Sequence, residues 1–364
     1  MARLLSQNDV PMASAAILRG ELVAIPTETV YGLAGNALDA NVVAKIFSAK
    51  ERPSFDPLIV HVPSTIQNID DLVNGGILDG NRISAPVKDV ANKLIANFWP
   101  GPLTIILPKG QKIPDIVTSG LDQVGIRMPA HPLAQELLTL CKVPLAAPSA
   151  NRFGRISPTT PIHVEEELGS KIPYILDGGA CEIGVESTVI AISDTPGSRP
   201  STSAIIWLIR PGKITKDQLE ALTNTKVEFA KSEHAKASPG MLLSHYAPRK
   251  TMFSVEQVVE QLLNLVVTAN TTDKLPKTAA LLIVSGTGAK EIDLLKTLGI
   301  SVLRTAQLSP NGEAEEAARN LFSAMRKLDE TDAELIITTS VPSQAGLWLA
   351  IADRLKRACK SHTS

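Results

Sequence analysis

The sequence predicts an α/β protein in three parts: a strand-rich domain over residues 1–213, a linker over 214–250 and a small Rossmann-like domain over 251–364. Three observations carry this reading. Through the first part, short apolar runs bounded by Gly and Pro recur with few long helical stretches between them. From residue 251 onward strands and helices alternate regularly, the pattern of a parallel sheet. A length of 364 residues with 44 % apolar content suffices for two cores in domains of ~150 residues each.

Residues 11–19 suit a helix that stops at Gly20, and Leu22–Pro26 reads as a buried strand. Thr27-Glu-Thr-Val-Tyr-Gly32 follows as a polar turn. Its threonines serve equally as turn or cap hydroxyls and as ligand contacts at the end of a strand. Val42, Val43, Ile46 and Phe47 recur at helical spacing, with Asp39 or Asn41 as the cap. The next stretch, Lys50-Glu-Arg-Pro-Ser-Phe-Asp-Pro-Leu-Ile-Val-His61, brings Lys50, Arg52, Asp56 and His61 close together in sequence. Cations where a helix ends suit its macrodipole. Pro53 and Pro57 stiffen the chain between them, as a site holding two positive side chains at one anion requires. Pro57–Val62 reads as a short strand, so His61 sits inside it.

Residues 84–97 form a helix ended by the rigid turn Phe98-Trp-Pro-Gly-Pro102, and strand Leu103–Leu107 follows. Thr118 opens a loop into a strand with Arg127 near its end. A helix over 132–141 and a short buried strand, Val143–Ala147, come next. That strand runs into Pro148–Pro158, whose Ser149, Asn151, Ser157, Arg152 and Arg155 offer donors to an anion. Strands at Tyr174–Gly179, Gly184–Ile190 and Ile205–Arg210 complete the first domain. The linker opens with a helix over 215–223. It ends Ser238-Pro-Gly-Met-Leu-Leu-Ser-His-Tyr-Ala-Pro248, a run of apolar and aromatic residues that a free tether does not need. It is therefore expected to fold across the mouth of the first domain. The last part reads as helix 255–266, strand 280–284, helix 290–298, strand 301–304, helix 313–328, strand 335–338 and helix 344–358. Gly286-Thr-Gly288 lacks the third glycine of a dinucleotide fingerprint, since position 291 is Glu.

Composition narrows the function classes. A formal charge of −1 provides no global basic field for nucleic acid. Cys141, Cys181 and Cys359 form no CxxC, which argues against a disulfide frame or a thiolate zinc site and fits a reducing compartment. No apolar leader opens the chain and no run approaches the ~18 apolar residues of a membrane span, so a soluble, cytoplasmic protein is expected.

The motifs add up to a family resemblance. Pro26-Thr-Glu-Thr-Val-Tyr-Gly-Leu33, Lys50-Glu-Arg-Pro53, Pro57-Leu-Ile-Val-His61, Trp99-Pro-Gly-Pro-Leu-Thr104, Gly125-Ile-Arg-Met-Pro129, Pro148-Ser-Ala-Asn151, Glu186-Ser-Thr188, Arg210-Pro-Gly212 and Ser238-Pro-Gly-Met…His245-Tyr-Ala-Pro248 run in order over residues 20–250. Together they resemble the long form of the threonylcarbamoyl-AMP synthases, with a YrdC-like domain followed by a smaller C-terminal domain. The resemblance implies a twisted mixed sheet with a concave basic face. It implies a reaction in which L-threonine, bicarbonate and ATP give threonylcarbamoyl-AMP and pyrophosphate. The product serves the threonylcarbamoyladenosine modification of tRNA position 37, which a separate transferase completes, so tRNA is met only indirectly and no membrane is involved. By position it implies Lys50 and Arg52 as catalytic cations. It assigns Lys50, Arg52, Asp56, Thr118, Ser149, Asn151, Ser157, Arg210 and Tyr246 to ATP, and Thr29, His61, Arg127, Ala147 and Ser187 to L-threonine. Mg²⁺ would bridge the phosphates, held by substrate and water rather than by a protein cage. Asp56 departs from the asparagine common at this place and needs a cation such as Arg52, or the metal, beside it. Two other readings compete: a YrdC-like RNA-binding module, which the neutral net charge weakens, and a carbamoyl transferase, whose zinc fingers this chain has no CxxC to build.

Overall fold

A computed structural model describes residues 1–53, 55–195, 203–230, 245–260 and 276–359. Contacts divide the chain into two units: Met1–Phe153 with Ser157–Met241, and Gly154–Ile156 with Leu242–Ser364.

Among the described residues, eleven strands of the first unit form one mixed sheet. They are β1 (Arg3–Leu5), β2 (Val23–Ile25), β3 (Gly32–Asn36), β4 (Ile59–His61), β5 (Leu103–Pro108), β6 (Gln123–Arg127), β7 (Leu145–Ala146), β8 (Tyr174–Leu176), β9 (Thr188–Asp194), β10 (Ala204–Arg210) and β11 (Val227–Phe229). Their order across the sheet is β1-β8-β2-β3-β7-β4-β6-β5-β9-β10-β11. Alternation along the strands splits the core. Ala24 of β2 and Ile105 and Leu107 of β5 join the main cluster, beneath helices Ala40–Lys50 and Ala85–Phe98. Val23 and Ile25 face the other way, onto helices Val10–Leu18 and Pro132–Cys141. Ile106 also faces that way, with Val189, Ala191, Ile205, Trp207 and Ile209.

The sequence did not signal β1, β3 or β11. In β3 the cause is packing: a Cβ at Gly35 would lie 2.7 Å from Val42 Cγ1, so the approach of helix Ala40–Lys50 favours a poor strand former there. Residues 214–230, read from sequence as linker, carry helix Lys216–Thr223 and strand β11, which pairs in parallel with β10. Residues 231–244 of that linker, including Ser238–Leu243, lie outside the described residues, and with them most of the segment expected to close over the first domain, while 245–250 fall in the second unit.

The second unit contains a fully parallel sheet of β12 (Thr251–Ser254), β13 (Thr278–Ser285), β14 (Ser301–Ser309) and β15 (Leu335–Thr338), in the order β12-β15-β13-β14. Helices Ala289–Thr297, Ala314–Asp329 and Gly346–Cys359 alternate with them. A large mixed sheet with a small parallel α/β unit is the fold the sequence predicts.

Candidate active site

Sheet register assembles a polar row on an otherwise apolar face. His61 of β4 stands opposite Arg127 of β6, and Arg127 stands opposite Thr104 of β5. Directly opposed residues share a face, so these three side chains point to one side. The row is bounded by apolar positions on both flanks: Leu145 opposite His61, and Val189 opposite Thr104. All three polar residues are buried, which demands a partner for each.

Arg127 Nη2 donates to Glu28 Oε1 at 2.6 Å, and its Nε donates to Gly101 O at 3.3 Å. The other carboxylate oxygen of Glu28 accepts from the Ala130 backbone N–H at 3.0 Å. Glu28 is presented by the turn after β2. There Thr27 Oγ1 accepts from the backbone N–H groups of Thr29 and Val30 and donates to Val30 O. The Thr29 hydroxyl lies 2.9 Å from that of Thr27. His61 Nδ1 lies 3.3 Å from Ile59 O. Burial, and then the charge of Arg127, lower its pKa to about 3, so the ring is neutral near pH 7. Thr104 Oγ1 lies 2.8 Å from Ser187 Oγ, just before β9. Arg210, ending β10, donates through Nη2 to that same hydroxyl and through Nε to Ser187 O, each at 3.1 Å. The chain after Arg210 passes close to β9: a Cβ at Gly212 would lie 2.4 Å from Thr188 N, so only glycine fits. Ser157 donates to Glu186 Oε1 at 2.5 Å.

The second cluster forms at the end of helix Ala40–Lys50, which Asp39 caps through the backbone N–H groups of Asn41 and Val42. Glu51 adopts φ 53° and ends the helix. Lys50 does not point along the axis into solvent as a dipole-matching cation would. Its Nζ donates to Ser149 O and Asn151 O, both at 2.5 Å. Burial, and then the charge of Arg52, push the Lys50 pKa well below that of an ordinary lysine. Arg52 Nη2 pairs with Asp56 Oδ2 at 2.8 Å, and Arg52 also donates to the backbone carbonyls of Asp56 and Pro57. Asp56 thus has the cationic neighbour its position requires. The guanidinium also lies 5.8 Å from the Phe153 ring centroid.

One segment joins the two clusters. The Ala147 N–H bonds Ile59 O at 3.0 Å, Ser149 bridges to Gly32, and Ser149 and Asn151 carry the carbonyls that hold Lys50. Gly32 permits this close approach, since a Cβ there would lie 3.2 Å from Ala147 Cβ.

Of the residues picked from sequence, all but Arg155 and Tyr246 lie in the first unit. Thr118 ends the short helix Asp115–Thr118, and its hydroxyl donates to Leu121 O at 2.7 Å. Tyr246 is buried in the second unit, at φ 65°, stacked on Phe322 and edge-on to His245. Sequence reasoning missed Glu28, Thr104 and Glu186 as members of the site. Each sits inside a motif that had been noticed, but what the sequence lacks is the partner across the sheet. Among the described residues, no three His, Cys, Asp or Glu side chains gather into an ion-holding group. None of the described helices is long and apolar enough to cross a membrane.

Known proteins share this architecture. The Sua5/YciO/YrdC family model, described as "Telomere recombination", matches residues 15–203. The model described as "Threonylcarbamoyl-AMP synthase, C-terminal domain" matches residues 214–359. The threonylcarbamoyl-AMP synthase of Pyrococcus abyssi is 37 % identical over 357 residues, 96 % of this chain and 93 % of the relative. That of Bacillus subtilis is 39 % identical over 360 residues, 97 % of this chain and 94 % of the relative. A crystal structure of P. abyssi Sua5 complexed with L-threonine superimposes with a TM-score of 0.77 at 34 % identity, covering 99 % of this chain and 98 % of that one. A mixed sheet domain followed by a parallel α/β unit is thus an architecture shared with a class of two-domain synthases. The chain belongs to the threonylcarbamoyl-AMP synthase family.

Proposed function

We infer that the chain is an L-threonylcarbamoyladenylate synthase, condensing L-threonine, bicarbonate and ATP to threonylcarbamoyl-AMP and pyrophosphate. The adenylate is the donor for the threonylcarbamoyladenosine modification of tRNA position 37, through a separate transferase. The observation that carries this reading is the segment Ala147–Asn151. It ties the polar row of His61, Arg127 and Thr104 to the buried Lys50 and Arg52.

The chemistry accounts for both clusters. The threonine amine, once deprotonated, attacks the bicarbonate carbon, and water leaves to give a carbamate. A carbamate oxygen then attacks the α-phosphorus of ATP, and the bond to the β-phosphate breaks to release pyrophosphate. Nucleophile and electrophile are both anionic, so fixed cations and donors supply most of the catalysis. In this proposal Lys50 and Arg52 stabilise the triphosphate. Ser149, Asn151 and Ser157 meet phosphate and ribose oxygens. Thr118 and Arg210 complete the nucleotide contacts, and Asp56 acts beside Arg52. Magnesium enters as part of the MgATP substrate, bound to phosphate oxygens and water. Arg127 takes the threonine carboxylate, since a guanidinium can hold a carboxylate by a pair of hydrogen bonds. Thr29, neutral His61, Ala147 and Ser187 enclose the rest of the amino acid.

The test is incubation with MgATP, bicarbonate and L-threonine, followed by mass spectrometry for the adenylate and an assay for pyrophosphate. Both products should require threonine and bicarbonate together. Pyrophosphate released equally without an amino acid would refute the reading.

A further inference from the structure

Glu28 has no part in the roles above, yet it is the closest charged partner of Arg127. The pair is buried on both sides, with side chains 5 % and 7 % exposed, and the contact is 2.6 Å. Both carboxylate oxygens are engaged, one by Arg127 and one by the Ala130 N–H. The Glu28 carbonyl in turn accepts from the Ile183 N–H at 2.8 Å, which fixes the residue at its backbone. The effect on the guanidinium is directional. Nε spends its one N–H on Gly101 O and Nη2 spends one of its two on Glu28, so the Nη1 N–H groups and the second Nη2 N–H form the edge left to meet a ligand carboxylate. The effect on the pocket is electrostatic. His61 is neutral beside Arg127, and burial holds the Cys181 thiol, pushed up to about 12, in its protonated form. Arg127 and Glu28 therefore cancel as a pair.

Resting on the assignment of the amino-acid pocket above, we propose that Glu28 is the positioning and charge-selecting residue of that pocket. It orients Arg127 and makes the site accept a zwitterion, rejecting carboxylates that lack an ammonium group. A zwitterion meeting this balanced pair leaves both of its members matched, whereas a bare anion draws on Arg127 and leaves Glu28 uncompensated, which is costly in a buried setting. Removing the Glu28 charge reverses that preference, because the lone Arg127 then favours an anion.

Equilibrium binding of L-threonine and of 3-hydroxybutyrate, which is threonine without its amino group, tests this on the full chain. In Glu28→Gln, threonine affinity should fall by about tenfold or more, and 3-hydroxybutyrate should bind more tightly than it does to the unaltered protein. Glu28→Asp, which keeps the charge, should retain the original preference. ATP affinity, measured on the same samples, should stay unchanged and report an intact fold. A merely structural Glu28 would weaken both ligands together. An unchanged ratio of the two affinities in Glu28→Gln would overturn the inference while leaving the assigned pocket standing. Failure of the unaltered chain to bind threonine would instead remove the assignment on which the inference rests.

Discussion

His61→Asn should make the folded state markedly less sensitive to acid. In the unfolded chain this histidine takes up a proton below about pH 6.5, but in the folded protein burial and Arg127 delay that until about pH 3. Between those values the unfolded state binds more protons, so stability falls as pH falls. With those two pKa values, His61 removes about 1 kcal/mol at pH 5.5 and about 3 kcal/mol at pH 4.5, and almost nothing at pH 7.5. Asparagine carries no such proton. It leaves a smaller side chain between Leu145 and Arg127, which costs some packing energy at every pH. Urea unfolding at pH 7.5, 6.5, 5.5 and 4.5 separates the two effects. The offset at pH 7.5 measures packing, and the growing gain of the variant on acidification measures the proton. Stability curves of the two proteins that run parallel across this range would refute the argument. They would mean that His61 titrates in the fold as it does in the open chain. The same neutral ring predicts threonine binding that shows no histidine titration between pH 5 and pH 8.

Arg52→Ala should destabilise the fold by about 3 kcal/mol or more, because it strands the buried Asp56 carboxylate. Adding Asp56→Asn should recover part of that in urea unfolding, and a double variant no more stable than the single one would contradict the pairing. Lys50→Met should cut pyrophosphate release by ~10²-fold or more. It should also leave the unfolding midpoint little changed, since losing the donors to Ser149 O and Asn151 O is offset by no longer burying an ammonium. Near-normal turnover would show that this cation is not part of the chemistry. Gly212→Ala should cost about 1–3 kcal/mol and weaken threonine binding, because its Cβ would press on Thr188 N and displace the Ser187–Arg210 contact. A melting temperature and a threonine affinity both equal to the unaltered protein's would rule that out.

Some of this molecule is determined by sequence alone. Helix Ala40–Lys50 has its apolar spacing and its Asp39 cap in the primary structure, and strands β5 and β10 are apolar runs flanked by Pro and Gly. The alternation after residue 251 foretells a parallel sheet, because each strand needs a crossover of helix length before the next. The residue types of the site are legible in the same way, since their motifs are contiguous in the chain. Strand order and register are not legible. β1 and β11 are short edge strands that gain their structure from β8 and β10, and β3 is glycine-rich because a helix presses on it. The sequence shows Arg127 and Glu28 99 positions apart and gives no sign that each is the other's counter-ion. It shows Lys50 at a helix end, where solvent is the expected partner, and not the two carbonyls that hold it inside. Charge pairing inside a protein depends on which groups are desolvated together. That is decided by the register of β4, β6 and β5 and by the path of the 147–151 segment, which form only when the whole sheet has closed.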